Sequence, residues 1–347
     1  MDQTGGLSAA CPWPDLAAER LGGRAVAAND EFFAPKENLL KPGRGIFIED
    51  RYTDRGKWMD GWETRRRRTP GHDWCVVRLG VPGVVHHVVV DTNHFRGNHP
   101  ERASLDAAWV GADHGEEGFA DADLTWTSIL PESPLTPHAE NAFPVDDPRG
   151  WTHVRLNIYP DGGVARLRVH GTAAPDWARL EGAGEPVNLA ATAHGGLVLG
   201  CSDRFFSAPG NLLAPGRGAD MGDGWETRRR RGPGHDWVVI RLGRRGLLRR
   251  VEVDTAHFKG NFPESCSLEV HDAGPAPRSA EAAPLPDDVE WREGLPRAPL
   301  TADAEHVFTA PDVAALPATH VRFNIFPDGG VSRLRIVADL LPDAPSA

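Results

Sequence analysis

The sequence predicts an all-β protein made of two tandem copies of one domain, and three observations carry that reading. The stretch Asp60-Gly61-Trp62-Glu63-Thr64-Arg65-Arg66-Arg67-Arg68 recurs as Asp223-Gly224-Trp225-Glu226-Thr227-Arg228-Arg229-Arg230-Arg231, an offset of 163 residues. Short runs of β-forming residues bounded by glycine follow it in both copies. Few segments sustain a 3.6-residue apolar period, so little helix is expected. A repeat this long is a whole domain rather than a stacking unit, and the domains are placed at 1–175 and 176–347.

The copies begin near Asp15-Leu16-Ala17 and Asn188-Leu189-Ala190. Each then carries an aromatic pair, Phe32-Phe33 and Phe205-Phe206, and a loop in which Pro42-Gly43-Arg44 matches Pro215-Gly216-Arg217. Before the shared Gly-Trp-Glu-Thr, copy one holds about ten extra residues, among them Arg51, Tyr52, Lys57, Trp58 and Met59. Trp74 to Leu79 and Trp237 to Leu242 read as strands, as do Val88 to Asp91 and Val251 to Asp254, where Val251 and Val253 alternate with Glu252 and Asp254. The acidic, proline-containing segments at about 106–150 and 271–317 read as loops with short strands.

Each copy closes on a predicted hairpin. Leu156 and Ile158 alternate with polar neighbours, Pro160-Asp161-Gly162-Gly163 forms the turn, and Leu167 and Val169 alternate again. Simple closure sets Leu156 opposite Leu167, Asn157 opposite Arg166 and Arg155 opposite Arg168; copy two repeats this with Phe323 and Leu334, Asn324 and Arg333, and Arg322 and Arg335. Like charges directly opposed cost up to about 1 kcal/mol, so an anion is expected between them: Glu63 or Glu226, or a substrate carboxylate. An alanine-, glycine- and proline-rich join runs from about Thr172 to Glu185.

A net charge of −11 gives no support to a nucleic-acid or membrane-surface partner. On a strand the arginines of each run would alternate between faces and form no basic stripe. No apolar run approaches the roughly 18 residues of a membrane span, and Met1 to Ala10 lack a secretory signature, so a cytoplasmic protein is expected. Cys11, Cys75, Cys201 and Cys266 have neither metal-ligand nor disulfide spacing. Across the repeat, Cys75 faces Val238, Cys201 faces Ala28 and Cys266 faces Ala103, which suits structural thiols.

The chemistry-bearing residues that recur are Glu63 and Glu226, His72 and His235, Asp91 and Asp254, His94 and His257, and Asn98 and Asn261, besides the arginines; His153 and His320 recur as well. A divalent metal, manganese or zinc, could be held by His72, Asp91 and His94, but their spacing does not indicate one. Alternatively, the aspartates cap turns and the histidines bond backbone carbonyls. No serine occupies a nucleophile elbow and no cysteine recurs.

The duplicated Asp-Gly-Trp-Glu-Thr-Arg-Arg-Arg-Arg, Gly-His-Asp-Trp, Val-Asp-Thr-x-His-Phe-[Lys or Arg]-Gly-Asn and Asn-Ile-x-Pro-Asp-Gly-Gly motifs resemble the allantoicase family over nearly the whole chain. The resemblance implies two tandem β jelly-rolls of the galactose-binding-like sandwich type, assembly into a homo-oligomer, and hydrolysis of allantoate to (S)-ureidoglycolate and urea. Glu63 or Glu226 with His72, His94, His235 or His257 would then move protons. Arg65, Arg155, Arg166, Arg228, Arg322 or Arg333 would hold the substrate carboxylate, and Asp91, Asn98, Asp254 or Asn261 the ureido groups. Every candidate recurs, so two sites per chain are possible, although the insertion in copy one changes the surroundings of Glu63. Two other classes stay open. One is a non-catalytic jelly-roll that binds a carbohydrate or small ligand, against which Trp62 and Trp74 lie in strand-like segments rather than exposed loops. The other is a hydrolase of a different ureido or amidino compound.

Overall fold

The computed structural model describes residues 13–111, 119, 124–275, 285 and 289–342. Its contacts divide the chain into two units, Met1–Ala174 and Pro175–Ala347. Each unit is a β sandwich organised by one long strand, Asp73–Asp91 in the first and Asp236–Asp254 in the second. The pairs of short strands expected at Trp74 to Leu79 and Val88 to Asp91, and at Trp237 to Leu242 and Val251 to Asp254, are thus the two ends of one strand in each unit.

The long strand serves both layers because it bends. Its first half pairs with Arg24–Ala28 and Gly150–Tyr159, the latter then pairing with Arg102–Ala108, which pairs with Thr127–Pro134. Its second half pairs with Arg166–Ala173 and Glu140–Pro144. The register shifts between Arg78 and Gly83. Gly80 lies in that bend, where a Cβ would come within 2.5 Å of the Leu21 carbonyl oxygen, so only glycine lets the neighbouring loop cross.

The predicted closing hairpin does not form in either unit. Gly150–Tyr159 and Arg166–Ala173 both pair with the long strand, and no pairing joins them. After the turn, Gly163–Val164 pairs with Trp62–Glu63, and this carries the chain from one layer to the other. Leu156 therefore lies opposite Cys75 and Leu167 opposite Val90; Asn157 lies opposite Trp74 and Arg166 opposite Asp91. Arg155 and Arg168 never face each other. Arg155 pairs with Asp106 at 2.8 Å, whereas Arg168 donates to the carbonyl oxygens of Lys41 and Gly43. In the second unit Arg322 is gripped through both forks by Glu269, and Arg335 lies opposite Glu252. Protein carboxylates do answer Arg155 and Arg322, but they are Asp106 and Glu269, not Glu63 or Glu226.

The cores are apolar and closed. In the second unit Trp225, Val238, Ile240, Val253, Phe323 and Leu334 are all inaccessible to solvent, and Trp62 holds the same place in the first. Each such side chain contributes roughly 1.5 to 3 kcal/mol by its burial. Cys75 and Cys266 belong to these cores, and burial pushes both thiols up, Cys266 to about 12. Such thiols are poor nucleophiles. Cys11 lies outside the described residues. A short helix, Trp177–Ala183, follows the join, with Asp176 capping its first turn. Among the described residues no helix is long and apolar enough to cross a membrane.

Candidate active site

Three of the duplicated motifs meet where the chain changes layers. Gly163 pairs with Glu63, and its N–H donates to the Asn98 carbonyl oxygen at 2.8 Å. A Cβ on Gly163 would lie 2.0 Å from the Phe95 ring, so the bare glycine is what lets Phe95 seat fully buried beneath the turn. Anchoring Phe95 holds His94 at the rim with φ +66, a left-handed conformation that non-glycine residues rarely adopt and that often marks functional positions. The Pro-Asp-Gly-Gly turn is thus the platform on which Glu63, His94 and Asn98 converge.

A cavity of about 320 Å³ opens over this platform, lined by Glu63, His94 and Asn98 together with Lys57, Met59 and Arg96. Asn98 Nδ2 donates to Glu63 Oε1 at 2.7 Å. Burial pushes the Glu63 carboxyl above its ordinary value, against the smaller opposing pull of Asn98. Burial pushes His94 the other way, below the usual histidine value, only partly offset by a hydrogen bond with the Gly45 backbone. Phe47 stacks on His94 with ring centroids 5.4 Å apart, and Lys57 Nζ sits 4.5 Å from the centre of the same Phe47 ring. Neither Lys57 nor Arg96 has an ion-pair partner among the described residues, so the cavity presents two uncommitted cations beside a carboxyl and an imidazole.

The second unit repeats the platform beside a shorter loop. Asn261 Nδ2 donates to Glu226 Oε1 at 2.5 Å, Phe258 packs against Gly330, and His257 has φ +70 with Nε2 bonded to the Gly218 carbonyl oxygen. Four residues link Gly218 to Asp223, whereas fourteen link Gly45 to Asp60. The missing ten are the segment that supplies Lys57, and Met59 is matched by Gly222. A cavity of about 290 Å³ in this unit lies instead against Arg217, Asp254, Glu305 and Arg333. There Arg217 pairs with Asp254 and Glu305, and Arg333 with Asp223.

Four of the six arginines expected to bind substrate, Arg155, Arg166, Arg322 and Arg333, are committed to the fold. Arg166, nearly inaccessible, pairs with Asp60 at 2.7 Å, and Arg333 repeats this with Asp223. Arg155 and Arg322 hold Asp106 and Glu269. Arg65 is exposed and bound to Asp30, and Arg228 is exposed and lies over the Phe205 ring. Asp91 and Asp254 are taken by Arg44 and Arg217. His72 packs on Tyr159, and His235 on Phe326 with Nε2 bonded to Asn324; neither lines a cavity described above. His72 precedes the first residue of a 19-residue strand that Asp91 ends, so the metal grouping of His72, Asp91 and His94 is not formed. Among the described residues no three histidine, cysteine or carboxylate side chains come together to hold a metal. Burial next to His271 and Arg241 lowers the half-buried His320 to about 4.

Sequence reasoning missed Arg96 and Phe47 as cavity walls and noted Lys57 and Met59 only as part of an insertion. The available signal was that insertion, present in one copy of an otherwise faithful repeat.

Comparison with known proteins agrees with the motifs. A family model described as "Allantoicase repeat" matches residues 14–174 and 187–341. The chain is 50% identical over 326 residues to a probable allantoicase 2 of Burkholderia pseudomallei, covering 94% of each, and 51% identical over 322 residues to a probable allantoicase of Pseudomonas aeruginosa, covering 93% of this chain and 94% of the relative. The crystal structure of allantoicase from Saccharomyces cerevisiae superposes with a TM-score of 0.79 at 33% identity, over 95% of this chain and 94% of that one. Matched twice along its length and at half identity over nearly all of it, the chain belongs to the allantoicase family.

Proposed function

We propose that this protein hydrolyses allantoate to (S)-ureidoglycolate and urea in purine degradation, at one site per chain formed by the first unit around Glu63 and His94. Allantoate carries a carboxylate, a hydrogen and two ureido nitrogens on one tetrahedral carbon. Releasing urea requires a proton on the departing nitrogen, electron donation from the remaining ureido nitrogen, and water added to the resulting electrophilic carbon.

The observation that carries this reading is a carboxyl held above its ordinary value and an imidazole held below its own, across one cavity. That division sorts acid from base. Glu63 in its protonated form gives its proton to the leaving ureido nitrogen as the carbon–nitrogen bond breaks. Neutral His94 takes a proton from the water whose oxygen bonds to the carbon. Each such transfer contributes about 10² to 10⁴ in rate. Lys57 and Arg96 receive the substrate carboxylate, a task their lack of ion pairs leaves open. Asn98 already spends Nδ2 on Glu63, which leaves Oδ1 to accept a ureido N–H. Substrate seated against Phe47 and Met59 excludes water and pushes Glu63 further up.

Purified protein given allantoate should release urea and ureidoglycolate in equal amounts. Urea released from a different ureido compound, with none from allantoate, would refute this substrate. We further take the protein to act in the cytoplasm as a homo-oligomer, which equilibrium sedimentation tests; a monomer at all concentrations would contradict it.

A further inference from the structure

We infer that His138 sets the substrate charge the first unit accepts, by filling with a neutral ring a capping position that the second unit fills with a carboxylate. The inference rests on reading the first-unit cavity as the allantoate site. The motif Pro134-Leu135-Thr136 aligns with Pro299-Leu300-Thr301, which places His138 opposite Asp303. The structure bears out the equivalence. His138 has φ +53 and Asp303 φ +51, and each side chain accepts the N–H of the left-handed histidine of its unit: His94 N–H to His138 Nδ1 at 2.9 Å, and His257 N–H to Asp303 Oδ1 at 2.7 Å. One backbone geometry therefore tolerates either cap.

The electrostatic result differs. Asp303 is held below its usual value, first by the His257 N–H, so it stays ionised, and it lies 3.9 Å from Lys259, the counterpart of Arg96. In the second unit the cation at this position is thus answered by the protein. In the first unit His138 accepts through Nδ1, which needs an unprotonated nitrogen there and so a neutral ring. The rings of His138 and His94 are 5.3 Å apart, which sets the cap beside the cavity wall. Arg96 keeps its charge for a ligand, and no carboxylate at the cap repels an incoming one. His138 is accordingly a specificity residue acting through charge and does not touch the reacting atoms.

The test compares His138→Asp with His138→Asn in the full-length protein, measuring kcat and KM for urea release from allantoate together with thermal stability. Two like charges within about 10 Å in a protein-like dielectric weaken binding roughly tenfold or more. His138→Asp should therefore raise KM by about that factor with little change in kcat, and added salt should partly reverse the rise. His138→Asn, a neutral acceptor of similar shape, should stay within about twofold of wild type. An unchanged KM in His138→Asp, equal losses in both variants, or failure of His138→Asp to fold would each overturn the inference, because the second unit seats an aspartate in this geometry. Wild-type protein inactive on allantoate would overturn the reading of the site and this inference with it. Active wild type with an unaffected His138→Asp removes the inference alone.

Discussion

Replacing Arg166 with methionine should destabilise the first unit far more than it alters catalysis. The Arg166 guanidinium donates to Asp60 Oδ2 at 2.7 Å, to the Asp60 carbonyl at 3.0 Å and to the Ala165 carbonyl at 2.7 Å, with 3% of the side chain exposed. Burial alone would raise the Asp60 carboxyl; Arg166 and the Ile46 N–H more than reverse this and hold it below its usual value. Methionine fills comparable volume but leaves Asp60 buried with one donor and two carbonyls unanswered. Breaking a buried pair from one side costs about 3 to 5 kcal/mol. For a unit of this size each kcal/mol lowers Tm by roughly 2 to 4 °C, which gives a fall of about 10 °C. Scanning calorimetry of the full chain reads this directly, and Asp60→Asn added to Arg166→Met should restore part of the loss, since a neutral amide tolerates burial better. An unchanged Tm with a tenfold rise in KM for allantoate would refute the reasoning and return Arg166 to the substrate.

Two further outcomes follow from the cavity. His94 must be neutral to accept a proton, and burial lowers its value, so the acid-side midpoint of kcat/KM should lie below pH 6.5; a midpoint at or above pH 6.5 would contradict His94 as the base. Lys57→Met should raise KM for allantoate at least about tenfold while kcat changes little, as loss of uniform carboxylate binding requires, and an unchanged KM would remove Lys57 from the site.

Much of the fold was legible because duplication reports which positions are constrained together. The repeat exposed the two units and their shared motifs, and the β character followed from short apolar runs and glycine spacing. The closing hairpin was misread because alternation on either side of a Pro-Asp-Gly-Gly turn looks the same whether the strands pair with each other or with a third strand between layers. The engagement of Arg155 and Arg166 within the protein was hidden for a related reason. Asp60 lies 106 residues from Arg166 and Asp106 lies 49 from Arg155, so nothing local in sequence announces that these charges are already answered. Of the candidates, Glu63, His94 and Asn98 do converge in one cavity, whereas His72 and Asp91 do not line it. The enclosing residues Lys57, Phe47 and Met59 come from a loop that is ten residues longer in copy one than in copy two, and repetition cannot point to what is not repeated.

A single hydrolytic site in the first unit is tested most directly by the turnover of Glu63→Gln on allantoate. Glutamine still accepts from Asn98 and removes a carboxyl that burial disfavours in its charged form, so the fold and Tm should be retained. It has no proton to give the departing urea, so kcat should fall at least about a hundredfold. A rate close to half that of the wild type, as two equivalent sites would leave, would contradict it.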